Sequence, residues 1–137
     1  MKTYQNYING KWMDSLSKEK IQVEDPATTN IIGEIACAKN DDVDIAVEAA
    51  RKSFESRVLV DMPILERAKL MRRIADETRK LAKEGGTLLC YENGKQISAG
   101  ISEFNSVADT FDYYAGITDK LEGKTIPVSN SVLDYTV

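Results

Sequence analysis

Asn40-Asp41-Asp42-Val43-Asp44-Ile45-Ala46-Val47-Glu48-Ala49-Ala50-Arg51-Lys52-Ser53-Phe54 is the stretch on which the fold turns. Before it the chain reads as strand and loop, and from it onward helix dominates. Val43, Ala46, Val47, Ala50 and Phe54 follow the i, i+3, i+4, i+7 spacing of one helix face, with charges on the opposite face. Asn40 supplies a capping residue, and the acidic side chains behind it suit the positive end of a helix dipole. The partner expected for this apolar stripe is the next helix.

Upstream, Tyr7-Ile8-Asn9-Gly10-Lys11-Trp12 places Asn-Gly between β-favouring residues, the signature of a tight hairpin turn with positive φ. Ile21-Gln22-Val23-Glu24 alternates in character and stops at Asp25-Pro26, because proline removes a donor and restricts its predecessor. After the turn residues Thr28-Thr29-Asn30, residues 31–38 read as a third, largely buried strand.

Downstream, a second helix starts near Met62-Pro63 and carries Ala68, Met71, Ile74, Ala75, Thr78, Leu81 and Ala82 on one side. Gly85-Gly86 predicts a break or kink, since each glycine costs roughly 1 kcal/mol in a helix interior. Residues 88–91 resume helix, and Asn93-Gly94 ends it through a left-handed glycine. A third helix is expected over residues 98–121, with Ile101, Phe104, Val107, Ala108, Phe111, Tyr114 and Ala115 as its apolar stripe. Gly123 and Pro127 punctuate its exit. Residues 131–137 alternate toward an unpaired strand that stops without a turn or polar tail, as a cut chain would. The chain is thus mostly helical, with short N-terminal β-strands and a C-terminal strand, in a single unit over residues 1–137.

Composition bounds the function. At 137 residues, 42% hydrophobic and 29% charged, the chain is of single-domain size and reads as soluble and globular. A net charge of -4 with interleaved signs gives no basic stripe, so nucleic acid is not expected as a partner. No apolar run approaches the roughly 20 residues of a membrane span, and the first residues lack a signal-peptide core, so no membrane partner and, by default, a cytoplasmic location are expected. Cys37 and Cys90 are read as thiols buried in the core. With no histidine in the sequence, Ser-His and Cys-His nucleophile pairs and histidine-based zinc sites are excluded within this chain.

In order and spacing, these pieces resemble the opening of the aldehyde dehydrogenase superfamily. The residues that carry the likeness are Tyr7-Ile8-Asn9-Gly10-Lys11-Trp12, Asp25-Pro26-Ala27-Thr28 with Ile32-Gly33-Glu34-Ile35, Asp42-Val43-Asp44 with Ala46-Val47, Ala49-Ala50-Arg51 and Phe54. Further on they are Glu66-Arg67 with Leu70 and Ile74-Ala75, Glu92-Asn93-Gly94-Lys95, Tyr113-Tyr114-Ala115-Gly116, and Gly123 with Ile126-Pro127. The sequence departs from the family in lacking a tryptophan at Arg57-Val58-Leu59-Val60 and in carrying Gly85-Gly86 where helix formers are usual, which implies looser packing there.

The resemblance implies an α/β parent in which this chain is the N-terminal part of the cofactor-binding domain, residues 128–137 leading into the oligomerisation strand. It implies oxidation of an aldehyde to a carboxylic acid with NAD or NADP through a cysteine thioester, with a glutamate activating water. The nucleophile, that glutamate and the dinucleotide cradle all lie downstream in the family. The segment alone is therefore expected to be inactive, with no catalytic or cofactor-binding residue of its own. Its implied partners are the remainder of an aldehyde dehydrogenase chain and further copies of itself in a homo-oligomer. The helical stripes from Val43 and Ile101 would pack against a dinucleotide-binding sheet.

Some residues invite other readings. Cys37 and Cys90 have no family motif around them and are read as core rather than nucleophile. Lys11 and Lys95 lack the rest of a phosphate loop and are read as turn lysines. Phe104, Phe111, Tyr113 and Tyr114 have helical spacing and are read as core rather than as a ligand platform. The resemblance implies one site: a structural K+ or Na+ held by the main-chain carbonyls of Val23 and Glu24 and the carboxylate of Glu92, hard oxygen donors that suit such a cation. A solvated glutamate near a helix end is the other reading of Glu92. The alternative function, from a different class, is a stand-alone helical interaction or assembly module without catalytic activity.

Overall fold

The computed structural model describes residues 2–136. In chain order the elements are β1 (Lys2–Tyr4), β2 (Asn6–Ile8), β3 (Lys11–Met13), β4 (Lys20–Glu24), β5 (Ile31–Ala36), α1 (Asn40–Glu55), α2 (Ile64–Asn93), α3 (Ile97–Ile117), β6 (Thr125–Ser129) and β7 (Val132–Tyr135). The expected helix-rich chain with short N-terminal strands is what forms. Asn9 and Gly10 both have positive φ, 50° and 76°, and turn β2 into β3 with Tyr7 opposite Trp12. β4 pairs antiparallel with β5, which also takes β1 in parallel, giving the order β1-β5-β4. A bulge falls between Val23 and Glu24, where the register with β5 shifts.

α2 is unbroken over 30 residues. The break expected at Gly85-Gly86 does not occur, and packing there is tight rather than loose. A Cβ on Gly86 would lie 2.5 Å from the Ile101 amide nitrogen, and one on Gly85 would lie 2.1 Å from the Phe104 ring. The glycines are therefore where α3 crosses α2 closely, and the crossing outweighs their poor helix propensity. The buried residues of α2 are Ala68, Ala75, Ala82 and Gly86, and those of α3 are Gly100, Ala108 and Ala115. The repeat of seven at 68, 75 and 82 is the spacing of a seam between two nearly antiparallel helices. Arg79 bridges the same pair, donating to Asp109 at 2.8 Å and Asp112 at 2.6 Å. α2 ends as expected on Gly94, with φ 75° and its N–H donating to the Cys90 carbonyl.

Several expectations are corrected. The stripe of α1 does not pack on the next helix: α1 touches β2, while α2 packs on α3. Val47 and Phe54 are accordingly 60% and 73% exposed. The cap of α1 is Lys39 rather than Asn40, and its N–H is satisfied by the Asp42 carboxylate at 2.9 Å. α3 ends at Ile117, short of 121. β5 is only half-covered, with Gly33 and Ala36 buried and Ile31 and Ile35 exposed. The C-terminal strand is not unpaired: β7 runs antiparallel to β6, in which Pro127 takes part, and Val137 lies outside the described residues. Among the described residues no large side chain is fully buried.

Candidate functional site

The sheet and the C-terminal end of α2 enclose a pocket of about 410 Å³. β1 contributes Tyr4, β4 Val23 and β5 Ile35; α2 contributes Leu88, Tyr91 and Glu92. One carboxylate therefore faces a largely apolar space between two tyrosines. The structure brings together two of the three implied cation ligands, Val23 and Glu92. Glu24 stands one residue on, at the end of β4 beside the bulge, and does not line the pocket.

The local chemistry explains how these two segments meet. Asp25 is 7% exposed, and its carboxylate accepts from the Ala27 N–H at 2.8 Å and the Thr28 hydroxyl at 2.9 Å. Its own carbonyl accepts from the Thr29 N–H at 2.7 Å, and its N–H donates to the Asn30 carbonyl. This closed turn presents Pro26 to the C-cap of α2, where a Cβ on Gly94 would come within 3.3 Å of the proline Cγ. Glu92 is two residues earlier. Glu92 is the one charged group that lines the pocket, and Val23 and Glu24 both keep partners on β5, where the register skips Ile32.

The other singled-out residues lie elsewhere. Cys37 follows β5 and Cys90 sits in α2; both are free thiols, half-buried rather than core. Lys11 opens β3. Lys95, in the turn after Gly94, pairs with Glu103 of α3. Phe104 and Phe111 are half-buried, but Tyr113 and Tyr114 meet edge to face and are 64% and 53% exposed, outside any core. A dinucleotide does not fit the passage from β5 into α1. It holds no glycine, and the N-terminus of α1 is already filled by a carboxylate, which would repel a pyrophosphate.

That carboxylate belongs to Asp42, which sequence reasoning took for a simple first-turn acid. It is 2% exposed and accepts from the Lys39 N–H, the Leu16 N–H at 2.9 Å and the Ser15 hydroxyl at 2.8 Å. These three donors, the Lys39 N–H foremost, hold its pKa below the ordinary value. Tyr4 and Tyr91 were also missed as pocket residues. Lys2-Thr3-Tyr4 is too short to show an alternation, so β1 had no signal in the sequence.

Comparisons with known proteins agree with one another. Residues 12–137 match the aldehyde dehydrogenase family. Aldehyde dehydrogenase 1 of Tanacetum cinerariifolium is 33% identical over 132 residues, 96% of this chain and 26% of that protein. The mitochondrial aldehyde dehydrogenase of Equus caballus is 33% identical over 134 residues, 96% of this chain and 27% of that protein. Among solved structures, the NAD+ complex of an aldehyde dehydrogenase from Bacillus cereus superposes with a TM-score of 0.86 at 31% identity, covering 98% of this chain and 28% of that one. This chain thus spans about a quarter of the length of the curated relatives it matches. Among the described residues, no helix is long and apolar enough to cross a membrane.

Proposed function

The chain belongs to the aldehyde dehydrogenase family, and from that premise we propose that it is the N-terminal scaffold of an oxidoreductase that oxidises an aldehyde to a carboxylic acid with NAD or NADP. A cysteine thioester carries the reaction, and both that cysteine and the cofactor cradle are supplied by the portion of the family chain not covered here. The segment alone is inactive. The observation that carries this reading is the match over residues 12–137. The exposed apolar stripe of α1 supports it, since a face meant for water would not carry Val43, Val47 and Phe54 in register.

Within this scaffold, residues 1–137 form part of the cofactor-binding domain. The β6–β7 hairpin joins subunits of a homo-oligomer in the cytoplasm. The main-chain carbonyls of Val23 and Glu24 and the carboxylate of Glu92 would hold K+ or Na+. When bound, the cation supplies a fixed positive charge that ties the end of β4 to the end of α2; this chain's residues only hold it.

The test is aldehyde-dependent reduction of NAD+ or NADP+ by the purified chain, then by the chain co-expressed with the uncovered portion of a relative. No activity in the first case and activity in the second are expected. Activity of the chain alone that survives Cys37→Ser with Cys90→Ser would overturn the reading, and thiol-dependent activity would overturn the inactivity of the segment.

A further inference from the structure

Asn9-Gly10 and Asn93-Gly94 are the same dipeptide in two settings. We propose that the first is a site of spontaneous modification: Asn9 loses its side-chain amide through a succinimide, and the isoaspartate that results uncouples β2 from β3 and from α1. The second is held unreactive by the end of α2.

The chemistry needs a free main-chain nitrogen beside an asparagine. The Gly10 nitrogen attacks Asn9 Cγ; the N–Cγ bond forms, and the Cγ–Nδ2 bond breaks to release ammonia, which carries off the Gly10 proton. Water then opens the ring. Cleavage at the side-chain carbonyl gives aspartate, and cleavage at the main-chain carbonyl gives isoaspartate, in which the chain runs through Cγ. Asn9 and Gly10 are both exposed, and among the described residues the Gly10 N–H donates to no main-chain carbonyl. A Cβ at Gly10 would meet nothing within 4 Å, so neither ring closure nor water is hindered. At the other site, the Gly94 N–H donates to the Cys90 carbonyl at 2.9 Å and the Asn93 side-chain carbonyl accepts from the Lys95 N–H at 3.1 Å. Asn93 must therefore leave a helix before it can react, whereas Asn9 needs only a turn to open. Asn130-Ser131, in the β6–β7 turn, is the weaker candidate: the Ser131 N–H donates to the Ser129 hydroxyl at 3.4 Å, and serine adds a side chain beside the attacking nitrogen.

The turn, with φ of 50° and 76°, sets Tyr7 opposite Trp12 and Ile8 opposite Lys11. Aspartate tolerates that left-handed φ and would leave the pairing intact. Isoaspartate inserts one more main-chain carbon, and the two pairs cannot both be kept. Tyr7 and Ile8 also share a groove with Ala46, Ala49, Ala50 and Ser53, and β2 is the strand that α1 touches. Loss of the turn therefore loosens α1 as well.

The experiment ages the purified chain in mildly alkaline buffer and follows each asparagine by peptide mapping that separates aspartate from isoaspartate. Asn9 should convert at least about tenfold faster than Asn93, the protection expected where a hydrogen-bonded helix end has to open first. In urea the two Asn-Gly rates should converge. The tryptophan band of the near-ultraviolet circular dichroism belongs to Trp12 alone, whose ring centre lies 4.9 Å from that of Tyr7. It should fade in step with isoaspartate at position 9. Freshly made Asn9→Asp should keep the band, and Asn9→Gly, which suits the same turn, should keep it on ageing. Equal rates at Asn9 and Asn93 in the folded chain, or rates that differ as much in urea, would overturn the site. Isoaspartate that accumulates with the band intact, or a band that fades equally in Asn9→Gly, would overturn the uncoupling.

Discussion

Gly86 and Gly100 meet backbone to backbone where α2 crosses α3. A Cβ on Gly100 would lie 2.5 Å from the Gly86 carbonyl oxygen, and one on Gly86 would lie 2.8 Å from the Gly100 carbonyl carbon. The atoms in the way are main-chain atoms, which cannot rotate aside. Gly86→Ala or Gly100→Ala should therefore push the helices apart and destabilise by roughly 1–3 kcal/mol or more. Gly116, also in α3, meets nothing within 4 Å. There the same substitution should stabilise by up to about 1 kcal/mol through helix propensity. Urea unfolding of the three variants checks this, and equal effects at Gly100 and Gly116 would refute the close crossing.

Asp42 gives the fold an acid limb. Its pKa is lowered in the folded chain by the Lys39 and Leu16 N–H groups and the Ser15 hydroxyl. As pH falls, the unfolded chain therefore binds the proton first, near the ordinary value of about 3.9. The stabilisation is complete above that value and is lost as pH falls through the folded-state pKa. Asp42→Asn should lower stability at neutral pH and flatten the loss between about pH 5 and pH 2. Urea midpoints across that range measure it; an acid limb as steep as in the wild type would assign it to other carboxylates.

The uncovered stripe of α1 should drive self-association. Burial of apolar surface contributes about 25 cal/mol per Å², so a few hundred Å² exposed amounts to several kcal/mol. Val47→Lys with Phe54→Lys should reduce light scattering and hydrophobic-dye binding by the isolated chain while helical circular dichroism is kept. A stable, dye-free monomer without these changes would contradict the scaffold reading.

The β6–β7 hairpin exposes Leu133 by 76% and Val128 by 59%. With Pro127 and the register shift beside it, it is protected against indiscriminate edge pairing, which leaves its side chains to make a specific contact. Leu133→Lys should lower the assembly state of a family chain carrying this segment, read by sedimentation, without altering its melting in the dissociated form. Unchanged assembly would remove the hairpin from the subunit contact.

What could be read beforehand was local chemistry. Asn9-Gly10 dictates a positive-φ turn wherever it sits, and Gly94 ends α2 for the same reason. The glycines at 85 and 86 misled because local propensity is silent about what crosses a helix, and Phe104 and Gly100 arrive from the next one. Asp42 looked like any first-turn acid because its donors at 15 and 16 are remote in sequence. The segments beside the pocket were visible as motifs, Asp25-Pro26 and Glu92-Asn93-Gly94, but that Pro26 lies next to Gly94 is a tertiary fact, and Tyr4 sits on a strand too short to announce itself. α1 was given the wrong partner because periodicity says that a face is to be covered and not by what.

The crossing of α2 and α3 also bears on the order of assembly. The two helices are joined by residues 94–96 alone, so their seam closes a short loop at small entropic cost. The hydrogen bond from Ser15 to Asp42 must instead close over 27 residues. The helical pair should thus form in the folding transition state and the N-terminal layer dock after it. Substitutions at Ala75 and Ala108 should then slow refolding, while those at Asp42 mainly speed unfolding. On a ribosome this inverts the order of synthesis: the strands made first wait, unanchored, for helices that have yet to emerge.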